Sequence, residues 1–89
     1  MRKDEIEMVE FLESLKAPQS RRIIETLMIE NLSLNALSKK AKLSVGSIEL
    51  HLKPLLKSGL VILNNENEYR INKSKFNRSL SWFTSIADI

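Results

Sequence analysis

Polar and apolar residues alternate along the chain with a helical period through most of its length and switch to a strand period once, between Leu60 and Ile71. Met8, Leu12 and Leu15 recur at i, i+4 and i+7, with Ile6, Val9 and Phe11 widening the stripe, and predict a first helix that Asp4 caps with Glu7 three residues on. Pro18 suits the first turn of a second helix, whose buried face is Ile23, Ile24, Leu27 and Met28. Leu34, Leu37 and Ala41 then follow Ser33, whose hydroxyl can accept from a free amide of the first turn. After a break at Lys42-Leu43, Ser44 caps a fourth helix with Ile48, Leu52, Leu55 and Leu56 on one face, and Gly59 supplies a left-handed stop. Pro54 inside that helix removes one amide and crowds the carbonyl of Leu50, so a bend is expected there.

The strand period comes next. Leu60-Val61-Ile62-Leu63 is a β-prone run, Asn64 to Asn67 is turn chemistry, and Glu68 to Ile71 alternates like a returning strand. Asn72 can cap a last helix on which Phe76, Leu80, Phe83 and Ala87 form a stripe, with Ser79, Ser81 and Ser85 at polar positions and Trp82 and Ile86 off it. The order is four helices, two strands and a helix, which predicts a mainly α winged helix-turn-helix with a two-stranded β wing, one domain over residues 1–89.

Both terminal helices carry more apolar surface than a small core covers. Met8, Leu12, Leu15, Phe76, Leu80, Phe83 and Ala87 are therefore candidates for a two-fold interface between copies, with ordinary core as the alternative.

Charge changes the picture more by its placement than by its size. The net charge is +3; residues 1–30 carry −2, residues 31–64 carry +4 and residues 65–89 carry +1. Lys39, Lys40, Lys42, Lys53 and Lys57 place that excess on the helix-turn-helix, as phosphate binding requires; a solvated lysine-rich surface is the competing account. Arg21 and Arg22 could meet phosphate or pair with nearby glutamates.

Candidate chemistry subtracts possibilities. There is no cysteine and one histidine, so disulfides, thiolate metal sites and thiol catalysis are excluded, and no metal or cofactor is expected. No nucleophile elbow or glycine-rich phosphate loop occurs, so an enzyme is not expected. The charged start and the absence of a spanning apolar run predict a cytoplasmic protein without membrane contact. His51 lies on the flank of the fourth helix, either packed or touching DNA. Opposite Ile48, Leu52 and Leu55, that helix presents Gly46, Glu49, Leu50, Lys53 and Lys57, a face sized for the major groove of duplex DNA. Glu49 is unusual there, since it can only accept a hydrogen bond, and Leu50 beside Val45 would suit a protein partner as the alternative.

From Leu15 onward, about three quarters of the chain resembles the ArsR-type family of small winged-helix bacterial repressors. The resemblance runs through Ala17-Pro18-Gln19-Ser20-Arg21-Arg22-Ile23-Ile24, Leu43-Ser44, Ile48, His51-Leu52-Lys53, Leu56 to Val61 and Tyr69-Arg70-Ile71-Asn72. It implies a homodimeric repressor of an inverted-repeat operator, with the first and last helices at the dimer interface. DNA contact then falls to Ser44, Val45, Gly46, Ser47, Glu49, Leu50, His51 and Lys53, with Lys39, Lys40 and Lys42 beside them. The departures are specific. The family's metal-sensing cysteines or acidic and histidine ligands have no counterpart in Asn31 to Leu37 or in the last helix, which has only Asp88, so regulation would come through expression level, a protein partner or a small apolar effector. Ala17 stands where the family has an aspartate before the proline, and Lys42 where it has a turn glycine. Val45, Gly46, Glu49 and Leu50 replace its usual DNA-facing residues, and the short wing carries Glu66 and Glu68 where basic residues often stand.

Overall fold

A computed structural model describes the backbone of residues 2–87 and their side chains apart from those of residues 4, 83, 86 and 87. The elements follow in the expected order: α1 Lys3–Ser14, α2 Pro18–Ile29, α3 Leu34–Ala41, α4 Val45–Ser58, β1 Val61–Leu63, β2 Tyr69–Ile71 and α5 Lys73–Ala87. Three of the expected caps are made as drawn. Ser33 Oγ accepts from Ala36 N at 3.3 Å and Ser44 Oγ from Ser47 N at 3.1 Å, each satisfying an amide that has no partner inside the helix. Asn72 does the same for α5, accepting from Lys75 N at 3.2 Å. Gly59 ends α4 at φ 82°, a conformation that costs a side-chain-bearing residue energy. At the end of α3 that conformation falls to Lys42, at φ 57°.

α1 departs from expectation. Its N-cap is Arg2, with no side-chain cap, and Asp4 lies inside the helix instead of at its head. Fixing α1 is left to burial, and the buried positions differ from the expected stripe. Met8 and Phe11 are in the core and Leu15 packs against it, whereas Leu12 is 41 % exposed beside Ile6 and Val9. On α5 the inward set is Phe76, Ser79 and Trp82, with Leu80 outside. The edge of Phe11 meets Phe76 with ring centroids 5.2 Å apart, a favourable aromatic geometry that seats α5 on α1.

α2, α3 and α4 share one core, with Ile23, Leu27, Leu37, Ile48, Leu52 and Leu55 almost fully enclosed. Met28, expected on the buried face of α2, is 43 % exposed in the last turn of the helix. β1 and β2 pair antiparallel, Val61 opposite Ile71 and Leu63 opposite Tyr69. Asn64 Oδ1 closes the turn by accepting from the amides of Glu66 and Glu68, and Asn67 takes the left-handed position at φ 61°. Tyr69 also pairs on its other side with Leu32, in the connection before α3, through two backbone hydrogen bonds of 2.7 and 3.1 Å. This stub of a third strand has no periodic signal in the sequence; it binds the wing to the start of the helix-turn-helix.

Candidate nucleic-acid interface

α4 divides along its length, with Leu56, expected on the buried face, 37 % exposed instead. Ile48, Leu52 and Leu55 are buried, and Val45, Gly46, Glu49, Leu50, Lys53 and Lys57 are exposed. Leu50 is 68 % exposed, a large apolar side chain without cover. Gly46 has ordinary helical backbone, and a Cβ there would meet nothing within 4 Å. Glycine in the first turn therefore answers no demand of the protomer's own packing, and relative to alanine it weakens the helix by up to about 1 kcal/mol. The backbone there is left open to solvent.

Beside this stripe runs an open cleft of about 490 Å³, lined by Leu34 of α3, Tyr69 of the wing and Gly46, Glu49, Leu50, Leu52, Lys53 and Leu56 of α4. Its walls are mostly apolar, with the Glu49 and Lys53 charges at the rim. Among the described residues Glu49 makes no hydrogen bond or ion pair. An exposed carboxylate without a partner keeps all its acceptor capacity for whatever occupies the cleft.

The expected contact residues do not all stand free. Ser44 Oγ is occupied by the cap, and Ser47, half-buried, gives its carbonyl oxygen to His51, whose Nδ1 donates to it at 2.8 Å. His51 is thereby held along the flank of the helix with one ring nitrogen committed to structure. Lys40 Nζ is paired with Glu30 across the end of α2, which removes one of the five lysines from the free basic surface. Lys39 and Lys42 are exposed at the end of α3, and Lys53 and Lys57 along α4, without ion pairs among the described residues.

Neither arginine of α2 makes the ion pair with a nearby glutamate among the described residues. Arg21 Nη1 donates to the carbonyls of Leu15 and Lys16, at 2.5 and 3.1 Å, closing the end of α1. Arg22 Nη1 reaches the Ala41 carbonyl at 3.4 Å and closes the end of α3. Cations there complement the negative pole of each helix. The signal in the sequence is the lack of any glycine or basic residue in the last turn of α1.

The terminal helices carry the other candidate surface. Met8 and Phe76, expected at an interface between copies, are instead taken up by the protomer's own core, because α5 packs directly on α1. Leu15 also turns inward. Leu12 and Leu80 remain exposed, with Ile6 and Val9 adding to that face; the side chains of Phe83 and Ala87 lie outside the described set. Glu7 and Arg78 link the two helices, Arg78 Nε to Glu7 Oε2 at 3.1 Å, and this hydrogen bond together with the guanidinium charge holds the Glu7 carboxyl below its usual range. Lys75 of α5 lies over Gly59 and donates to the Ser58 carbonyl at the end of α4, with Glu10 of α1 3.9 Å away.

Among the described residues, no three His, Cys, Asp or Glu side chains gather into a metal-holding group, and no helix is long and apolar enough to cross a membrane.

No model of a protein family matches the chain, and no curated protein matches it in sequence. Solved structures do. HlyU from Vibrio cholerae is 26 % identical, with a TM-score of 0.72 over 90 % of this chain and 92 % of its own. The homodimeric winged helix-turn-helix DNA-binding domain of Mb0332 from Mycobacterium bovis, described as a possible ArsR-family transcriptional regulator, is 17 % identical, with a TM-score of 0.72 over 99 % of this chain and 88 % of its own. An ArsR family transcriptional regulator, RHA00566, is 18 % identical, with a TM-score of 0.77 over 99 % and 94 %. The chain thus has the winged helix-turn-helix fold of ArsR-family regulators, in agreement with the resemblance in its sequence.

Proposed function

We propose that this protein is a cytoplasmic transcriptional repressor, a single-domain homodimer that places α4 of each copy in the major groove of an inverted-repeat operator. The observation that carries the reading is the exposed stripe of α4: Gly46 opens a close approach, Glu49 and Leu50 project without partners among the described residues, and Lys53 and Lys57 lie on the same side. Lys39 and Lys42 extend the positive surface to where α3 ends, so that phosphates flanking the groove meet cations. Exposed Ile6, Val9, Leu12 and Leu80 supply the dimer contact. Mb0332, of the same fold, is described as a homodimeric DNA-binding domain. No catalytic role is assigned to any residue.

Selection of bound duplexes from a random library tests this directly. An inverted repeat with half-sites about one helical turn apart is the expected product. Its binding should weaken steeply with salt, and each phosphate-facing lysine replaced should reduce the slope by about 1. Zinc, cadmium and arsenite should leave that affinity unchanged, and control would pass through expression level, a partner protein or a small apolar effector.

A second reading is favoured by the apolar lining of the cleft, where Leu34, Leu50, Leu56 and Tyr69 would suit a protein partner. Absence of binding to any duplex at low salt would select it.

A further inference from the structure

We infer that the protein selects its site through two adjacent base pairs per half-site, a cytosine whose amino group donates to Glu49 and a neighbouring thymine whose methyl group packs on Leu50. The inference rests on the operator-binding reading and supplies the sequence choice that reading leaves open.

The geometry begins with Gly46, three residues before Glu49 and four before Leu50. Residues at those spacings share a helix face, and helical side chains lean back over the preceding turn, so both side chains lie over the place where Gly46 has none. With nothing within 4 Å of its missing Cβ, a base edge has room to come up to both. Successive residues advance only about 1.5 Å along the axis while turning about 100°. Glu49 and Leu50 therefore diverge sideways and meet neighbouring base pairs, about 3.4 Å apart along the duplex.

The chemistry of each side chain then leaves little choice of base. A carboxylate accepts and never donates. In the major groove guanine shows two acceptors, thymine an acceptor beside its methyl, and adenine an acceptor beside its donor; cytosine shows a donor alone. Glu49 has no cation bound to it among the described residues, so its charge is not already neutralised, and every edge except that of cytosine sets an acceptor against it. Leu50, 68 % exposed, would strand any polar edge it covered, and the thymine methyl is the apolar feature the groove provides.

The test uses the selected duplex with single replacements, and the wild-type protein suffices for its first half. Replacing the contacted thymine by uracil removes one methyl group and should weaken binding about 4-fold per half-site, the equivalent of about 0.8 kcal/mol for one buried methyl-sized group. Leu50→Ala should lose this sensitivity to uracil while keeping the preference for cytosine. Changing the cytosine pair should weaken wild-type binding by roughly 5-fold to 100-fold, and Glu49→Gln, whose amide can also donate, should reduce the discrimination against adenine at that pair. Indifference to uracil at every thymine, or uniform tightening on all duplexes by Glu49→Gln, would overturn the inference while leaving DNA binding in place. A selection that enriches no sequence, with duplexes still bound at low salt, overturns it in the same way. If no duplex is bound at low salt, the operator-binding reading falls and this inference with it.

Discussion

Helices α3 and α4 start on serine hydroxyls that accept from the third amide inside and stop on left-handed residues, Lys42 and Gly59. α1 starts at Arg2 without a side-chain cap and runs out at Leu15 in right-handed backbone. The middle helices carry their boundaries within their own sequence. The ends of α1 are set by Arg21 from the next helix and by burial against α5. The middle of the chain is locally specified, whereas the terminal helices depend on what they pack against, within the protomer and, in the proposed dimer, across it.

The sharpest way to break this contrast is to charge the outer terminal face. Leu80 is 45 % exposed in the protomer, so Leu80→Glu should leave the fold intact; in a dimer the carboxylate would be buried without a partner, weakening association by about 3–5 kcal/mol. Sedimentation should then show a folded monomer at concentrations where the parent is a dimer. An unchanged dimer would move the interface elsewhere.

Truncation in the middle region should act on folding instead. Ile48 is fully enclosed between α4 and its neighbours, and Ile48→Ala leaves a cavity that costs about 2–5 kcal/mol. The melting temperature should fall without any change in the dimer constant extrapolated to native conditions. A loss confined to association would mean that the two regions are not separable.

Removing a cap probes local specification alone. Ser44→Ala deprives the Ser47 amide of its acceptor and should destabilise by about 1 kcal/mol in urea titration, with the slope unchanged. Little or no effect would show α4 to be held by packing, as α1 is.

The smallest effect is the acid sensitivity of the terminal pair. Because Arg78 stabilises the charged form of Glu7, the folded-state value lies below the ordinary 4.5, and the contribution is present above that pH and lost as the pH falls through the folded value. The pair is partly solvated, with Arg78 57 % exposed, so no more than about 1 kcal/mol is expected. The stability difference between wild type and Glu7→Gln should be measurable at neutral pH and vanish in acid. A difference that persists in acid would assign it to packing.

How much of this was legible follows the same division. Ser33, Ser44, Gly59, Asn72 and the Asn64 turn announce their roles because the groups they serve lie within four residues. On α1 the core takes Phe11 where the period points to Leu12, because two apolar faces compete on that helix and the deciding contact is Phe76, far along the chain. Ser79 was expected outside yet is buried, since Phe76 and Trp82 on either side of it turn inward. At the candidate interface the exposed face of α4 is legible from its period, apart from Leu56, which the period places inside. The withdrawal of Lys40 by Glu30 and the use of Arg22 as a cap are not, because those contacts join elements distant in sequence.

The Leu32 bridge has a consequence for exchange with solvent. With Leu63 on one side and Leu32 on the other, β2 has no open edge at Tyr69, and the Tyr69 amide is held by the Leu32 carbonyl at 2.7 Å. That amide can meet deuterium only when the connection entering α3 lifts from the wing, an opening that also disturbs the start of the helix-turn-helix. Its exchange rate therefore reports the opening of the start of the helix-turn-helix, and in the proposed complex a bound duplex should slow it.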